Sequence, residues 1–327
     1  MSQEGYSLKS YVLSRILQAI PLIFVVIVLN FVLIHTAPGD PIVFIAGEFG
    51  DPEYYDMMRA HYGLDRPIHE RLVMYIGNVL KGDLGRSYFF RQPVIQVIAE
   101  RIPATLLLMG TAALLASVLG IVVGVVSSSK PYSIRDNLIT AGSLMGYSLP
   151  VFWLAQMLLI VLALWLGIFP AQGITSLRID LTGIEYVLDV LHHLVLPASS
   201  LAIYHLALIA RLTRANMLEV LQEDYITTAF SKGLSERRIV YRHALKNALL
   251  PVVTVIGMEL GFMIAGAVLT ETVYSWPGLG RLMYDSIYTR DYPVLMGLFI
   301  VISISVIIAN LATDIVYGLL DPRIRHR

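Results

Sequence analysis

Few residues in this chain have the type and spacing needed for chemistry, and most of them lie inside apolar runs. Glu259 interrupts the run Asn247–Thr270, where an ionised side chain is costly and ordinarily faces a cavity or a partner. It is read as a candidate pathway carboxylate, with a protonated or paired structural carboxylate as an equal alternative. His205 stands alone in Leu194–Ala210 with no second ligand at metal-binding spacing, so a packing histidine is expected. Asp314, near the end of the last run, is expected at the membrane interface or beside a basic partner. His192 and His193 are adjacent, so their rings should point apart, and metal binding is not expected. There is no HExxH, no phosphate-binding Walker A loop, no nucleophile paired with a base and no cluster of metal ligands. The chain has no cysteine, which removes thiolate chemistry. No catalytic residue, metal site or cofactor of the chain's own is therefore expected.

The elements that must carry these residues are membrane spans. Hydrophobic residues make up 56% of the chain and charged residues 15%, against roughly 45–50% and about 25% in soluble domains. Lipid is the solvent that suits such a composition, and a net charge of zero gives no reason to expect nucleic acid. Uncharged runs occur at Ile16–Ile34, Ile102–Ser129, Asn137–Leu177, Leu194–Ala210, Asn247–Thr270 (broken by Glu259) and Tyr292–Thr313, and about 20 apolar residues cross a bilayer core. The first run exceeds the roughly 7–15 residues of a signal-peptide core and is read as a retained span. Gly146-Tyr147-Ser148-Leu149-Pro150 interrupts the third, so Asn137–Leu149 is expected at the inner surface and Val151–Phe169 as the crossing.

Six spans with both termini cytoplasmic place Lys130, Arg135, Arg211, Arg214, Lys232, Arg237, Arg238, Arg242 and Lys246 inside. Only Arg178, Arg281 and Arg290 then fall in the short outer loops, as the positive-inside tendency requires. The expected organisation is a tail and first span over residues 1–37, an extracytoplasmic insertion over 38–101, and a five-helix core over 102–327. The insertion is rich in proline and glycine (Pro41, Pro52, Pro67, Pro93, Gly47, Gly50, Gly63, Gly82, Gly85) and should be turn-rich with short helices. Gly120/Gly124 and Gly257/Gly261 form small-residue pairs that let helices approach closely.

Between the fourth and fifth spans lies the polar cytoplasmic segment 211–247. Met217, Leu218, Leu221, Tyr225 and Thr228 or Ala229 recur at helical spacing. Gly233 is a natural stop, and Ser235 a natural N-cap for a following helix that carries Glu236 in its first turn. Helix, glycine turn and helix, with small residues at the corner, suit a docking element better than a plain connector.

This segment resembles the signature loop of permease subunits in ATP-binding-cassette importers: Glu-Ala-Ala, three residues, Gly, and a closing Pro. Thr227, Thr228 and Ala229 fall on the first three positions, Gly233 on the glycine and Pro251 on the proline, with Thr227 and Thr228 departing from the pattern. The wider chain resembles the first permease subunit of the dipeptide/oligopeptide (peptide/nickel) importers. The resemblance rests on Pro38-Gly39-Asp40-Pro41, Gly63-Leu64-Asp65 with Pro67, Gly82-Asp83-Leu84-Gly85 with Ser87, and Glu271-Thr272-Val273. Trp276-Pro277-Gly278-Leu279-Gly280, Arg290-Asp291-Tyr292-Pro293 and Asp321-Pro322-Arg323 complete it.

It implies an all-α membrane protein of the type I importer permease fold in a prokaryotic inner membrane. The implied partners are a second homologous permease subunit, two ATPase subunits that bring ATP and Mg, an extracytoplasmic substrate-binding protein, and lipid. The coupling helix would be Thr227–Ser235, including Lys232, Gly233 and Leu234, and Trp276, Pro277 and Gly278 would belong to an outer gate or touch the binding protein. An aromatic interface anchor is the alternative for Trp276. An ion-coupled secondary transporter is the competing function, and the sequence does not fix the cargo.

Overall fold

The computed structural model describes residues 8–36, 42, 51–61, 63–176 and 181–320, with side chains from residue 17 onward except 260–266, 314 and 316–320. The motifs Pro38–Pro41 and Asp321–Arg323, together with Arg178 and the side chain of Asp314, lie outside the described residues.

The described residues are mostly helical and form no named strand. In chain order the helices are α1 (Leu8–Thr36), α2 (Pro52–His61), α3 (Ile68–Leu80), α4 (Val94–Ser128), α5 (Ile134–Ser148) and α6 (Val151–Leu158), which continues as a π-helical stretch over Leu159–Trp165. Then come α7 (Gly183–Val220), α8 (Asp224–Ser231), a single turn Glu236–Arg238 with a π-helical stretch Ile239–Ala244, α10 (Leu245–Val273), α11 (Leu279–Tyr288) and α12 (Tyr292–Leu320); the single turn is α9. By length and composition five helices can cross a membrane, and six if the bent pair Ile134–Ser148 and Val151–Trp165 is one span. That pair turns through 103° at Leu149–Pro150. A residue before proline is pushed out of the helical region, and Leu149 is extended (φ −81°, ψ 132°).

Two boundaries differ from the expectation. The helix assigned to the second span begins at Val94, so the insertion's proposed end at residue 101 falls inside a continuous helix that tolerates Pro103. The fourth-span helix runs to Val220 and absorbs the start of the segment assigned to the loop.

Contacts divide the chain into two compact units: Met1–Val12, Leu106–Trp276 and Ile308–Arg327 form one, and Leu13–Thr105 with Pro277–Ile307 form the other. In the first, α7 packs against α5, α6 and α10. Gly120 and Gly124 of α4 lie hard against α7; a Cβ added to them would sit 2.8 Å from Ile209 Cγ2 and 2.6 Å from the Ala210 carbonyl. Gly257 is equally close to Thr313, while the side-chain environment of its partner Gly261 is outside the described residues. Tyr274 closes the far end of α10, its hydroxyl donating to the Ala155 carbonyl (2.8 Å).

In the second unit, Val94, Val97 and Ile98 pack with Leu279, Leu282, Val294 and Leu298. Gly297 lets α12 meet Val94 and Ile98 closely. Phe31 and Ile34 pack with Tyr292, Leu295 and Met296, and Tyr75 stacks on Phe31 at 5.7 Å. Burial raises the Tyr75 phenol above its ordinary range. Two segments that the sequence reading treated as separate motifs meet here. The buried Asp291 carboxylate accepts from Ser87 Oγ (2.5 Å) and from the backbone N–H groups of Tyr88 and Phe89 (3.1 Å each).

Candidate functional site

The polar segment after α7 does not continue as one helix. Met217 and Ile226 lie about two and a half helical turns apart, on opposite faces of a straight helix, yet both are fully buried in one cluster. The chain satisfies both by breaking at Leu221–Glu223 and restarting as α8, with Glu223 extended at its N-cap. The single apolar face read from Met217 to Ala229 is therefore two faces, and the short helix is Asp224–Ser231 rather than Thr227–Ser235.

α8 is too short to be stable in isolation, so its position is set by packing. Ile226 and Ala229 point into a cluster with Met217, Ile239, Val240, Ala244, Ala248 and Val125. These partners sit at the ends of α4 and α7 and at the start of the stretch leading into α10. The π-helical Ile239–Ala244 buries Ile239, Val240 and Ala244 together. Gly233 follows the helix at φ +75°, which glycine adopts at no steric cost. A Cβ added there meets nothing within 4 Å, so the position needs glycine for its backbone and not for space. Ser235 occupies the next N-cap with extended backbone, but its hydroxyl makes no capping bond.

The rest of α8 is bare, with Thr227, Thr228 and Ser231 opposite the buried stripe and Tyr225 and Phe230 flanking it on either side. Tyr225 and Phe230 are 40% and 52% exposed, and Tyr241, from the following stretch, is 56% exposed. Thr227, Thr228, Lys232 and Gly233 are exposed and Leu234 is half-buried. The Thr228 hydroxyl donates to the Asp224 carbonyl (3.0 Å) and that of Ser231 to the Thr227 carbonyl (3.1 Å), so both are turned inward on their own helix. Asn247 Nδ2 donates to the Tyr225 hydroxyl (2.8 Å) and holds that ring at the edge. Acidic charge at the start of the helix comes from the exposed Glu223 and Asp224, while Arg237, Arg238 and Arg242 supply basic charge after it.

An ion pair braces the same end of the unit. Asp136, near the start of α5 and 1% exposed, receives two bonds from Arg214 of α7 (Nε 2.6 Å, Nη2 2.7 Å). Ser127 Oγ (2.5 Å) and the Tyr132 N–H (2.8 Å) also donate to it. Bidentate geometry with the remaining lone pairs satisfied is the arrangement in which a buried pair holds its elements most firmly. The charge of Arg214 places it on the inner side, but nothing near it in the chain points to this partner. The signal available was an Asp at the third residue of a helix capped by Ser133, whose Oγ accepts from the Asp136 N–H (3.2 Å).

Deeper in the unit, His205 and Glu259 meet: Nδ1 and Oε2 are 2.7 Å apart, between side chains 8% and 20% exposed. The isolated packing histidine is thus a paired one, and of the two readings of Glu259 the pairing is present. The Tyr204 ring packs edge-on to His205 (5.1 Å) and stacks on Tyr147 (5.0 Å), over which Arg211 lies at 5.1 Å. His192 and His193 contact different backbone carbonyls, those of Ile168 (3.0 Å) and Asp189 (2.8 Å). Trp276 is fully buried, which removes the reading of an exposed interface anchor; Gly278 is buried and Pro277 half-buried. Among the described residues no group of three or more potential metal ligands comes together.

A family described as binding-protein-dependent transport system inner membrane component matches residues 116–326, and its N-terminal counterpart matches 8–109. The chain belongs to this permease family. The dipeptide transport system permease protein DppB of Escherichia coli (strain K12) is 41% identical over 97% of this chain and 99% of its own length. The di/tripeptide transport system permease protein DppB of Pseudomonas aeruginosa (strain UCBPP-PA14) is likewise 41% identical over 97% of this chain and 99% of that protein. The oligopeptide transport system permease protein AppB of Bacillus subtilis (strain 168) is 39% identical over 98% of this chain and 100% of that protein. Two inward-facing structures of the methionine ABC transporter MetNI align with TM-scores of 0.55 and 0.57 at 18% identity, over 69% of this chain and 97% of that one. The fold is that of type I ABC importer permeases, and the permease is a multi-pass inner-membrane protein.

Proposed function

We propose that this permease is the membrane subunit of an ATP-driven importer of short peptides, forming half of the translocation pathway beside a second, homologous permease subunit. Relatives named for dipeptides, di/tripeptides and oligopeptides support the cargo class. Two ATPase subunits carrying ATP and Mg, an extracytoplasmic binding protein and lipid complete the assembly, and both termini are cytoplasmic. The chain hydrolyses no ATP itself. Family membership gives no support to an ion-coupled secondary transporter.

The observation that carries the mechanism is helix α8, anchored by a buried stripe and bare beside it. Ile226 and Ala229 lock it to the ends of three long helices, and Tyr225, Phe230 and the Gly233 corner stay bare. A groove on an ATPase subunit takes that bare face. When the ATPase pair closes, the load passes through the apolar base and the Asp136–Arg214 brace into α5, α7 and α10, which move as packed bodies between two states. Glu259, held by His205, is a polar point on the pathway side of these helices, and Trp276–Gly278 belongs to the outer gate.

Gly233→Trp tests the coupling. The site has room for a side chain, so the folding cost is limited to the positive φ, roughly 1–2 kcal/mol. The complex should assemble poorly with its ATPase, or hydrolyse ATP without transporting. Normal peptide transport by this variant refutes the assignment.

A further inference from the structure

Between α4, α5 and α7 runs an open groove that neither the coupling helix nor the His205–Glu259 pair uses. It consists of two adjoining cavities, of about 200 Å³ and about 40 Å³, which share Ile139 and Ser143 of α5. The larger is apolar, walled by Val123 of α4, Gly142 and Gly146 of α5, and Ile203 and Leu206 of α7. The smaller is polar, with Ser127, Thr140, Arg211 and Arg214 around it. Three observations describe the occupant.

The first is depth. Arg211 directly follows the uncharged run of α7, and Ser127 lies within a turn of the end of the uncharged run of α4. The polar cavity therefore sits at the edge of the bilayer core, where the phosphates of one leaflet lie. Val123 and Ile203 come earlier on the inner side of each run, so the apolar cavity continues from that edge toward the bilayer middle.

The second is charge. The Asp136 carboxylate is taken up by Arg214, Ser127 and the Tyr132 N–H. Arg211 has no carboxylate partner among the described residues; it lies over the Tyr147 ring at 5.1 Å, a contact that supplies no acceptor oxygen. Lys130 and Arg135 are exposed in the turn before α5 and in its first turn. Basic pockets between spanning helices on the cytoplasmic side suit anionic lipid headgroups.

The third is the lining between the two cavities and the rims beside them. Ser143 borders both cavities, and its hydroxyl makes no hydrogen bond among the described residues, whereas Ser148 on the same helix donates to the Leu144 carbonyl (2.8 Å). A donor between a cationic mouth and an apolar groove is placed for an ester oxygen at the head of an acyl chain. The rims are apolar: Leu119 and Val122 on α4, and Leu138 and Met145 on α5, are all exposed. Such side chains at bilayer depth favour acyl chains over water.

We propose that this groove holds one anionic phospholipid, with its phosphate on Arg211 and an acyl chain between α5 and α7. The proposed orientation of the termini makes it a lipid of the cytoplasmic leaflet; the site itself does not depend on that orientation. Seated there, the lipid joins α4, α5 and α7 beside the Asp136–Arg214 brace, in the body on which α8 is mounted.

The test uses the complete complex, delipidated in detergent and titrated with dioleoylphosphatidylglycerol or dioleoylphosphatidylcholine while bound lipid is counted by native mass spectrometry. The first phosphatidylglycerol should bind roughly fivefold more tightly than the first phosphatidylcholine, the worth of one basic residue facing an anionic lipid. Arg211→Gln should remove that preference and Arg211→Lys should keep it. Gly142→Phe, at a position where an added Cβ meets nothing within 4 Å, should fill the groove and weaken the binding of both lipids. Arg211 is an exposed position, so Arg211→Gln decides the result alone if Gly142→Phe does not fold. Equal affinity for the two lipids in wild type, an Arg211→Gln complex that keeps the preference, or a folded Gly142→Phe complex that binds both lipids normally overturns the proposal. Displacement of phosphatidylglycerol by inorganic phosphate would make this a free-anion site. Loss of the second permease subunit from the Gly142→Phe complex would make the groove a protein interface. Either result overturns the proposal as well.

Discussion

Separating the buried from the exposed side chains of α8 gives the sharpest test of the coupling mechanism. Phe230 is 52% exposed and belongs to no buried cluster, whereas Ile226 is fully buried among Met217, Ile239 and Ala244. Truncating Phe230 to Ala should change the stability of the isolated permease by no more than about 0.5 kcal/mol, as at other surface positions. If Phe230 fills a pocket on the ATPase subunit, the same change should cost about 2 kcal/mol or more of association, roughly thirtyfold in Kd. Ile226→Ala should do the reverse: about 2–5 kcal/mol of stability is lost with the buried side chain, and any loss of ATPase binding should follow from a loosened helix. Thermal unfolding of the permease in detergent measures the first quantity, and surface-immobilised binding of the ATPase subunit measures the second. A Phe230→Ala permease that binds its ATPase with wild-type affinity and transports normally refutes the reasoning, because the bare aromatic face would then have no partner.

Asp136→Ala should destabilise the permease by about 3–5 kcal/mol, since it strands the Arg214 guanidinium in a half-closed site; calorimetry in detergent checks this. Asp291→Ala removes the acceptor for Ser87 Oγ and two backbone N–H groups, at about 1–3 kcal/mol for each orphaned donor. Limited proteolysis should therefore cut near Tyr88–Phe90 faster than in wild type. Gly124→Leu should cost about 1–3 kcal/mol or more by overpacking against the Ala210 carbonyl and Thr213. Gly142→Ala, in a helix with open space around the added methyl, should instead stabilise by about 0.5–1 kcal/mol; paired melting curves compare the two.

The spans were legible because lipid imposes long uncharged runs, and the kink at Pro150 was legible because proline restricts its neighbour. The corner at Gly233 was readable too, since a helix stop needs a residue that accepts positive φ. Legibility ended where tertiary contacts decide. The break at Leu221–Glu223 contains neither glycine nor proline and arises from the joint burial of Met217 and Ile226, which local periodicity does not encode. The extension of α4 back to Val94 is supported by Leu279, Leu282 and Leu298, far away in sequence. The pairs His205–Glu259 and Asp136–Arg214 join residues on different helices, so each looked isolated when read along the chain. Ser87 and Asp291 were noted as parts of two separate motifs, with no sign that they form one hydrogen-bonded unit.

That last unit has a bearing on how the protein is made. Tyr88 and Phe89 leave the ribosome long before Asp291, and until the last helix is in place the carboxylate their N–H groups require does not exist. The loop therefore waits through the synthesis of the intervening helices with its donors turned to water. Its locking marks the arrival of the final span, and a chain truncated before residue 291 would carry an unlocked loop by which a protease tells it from a finished one.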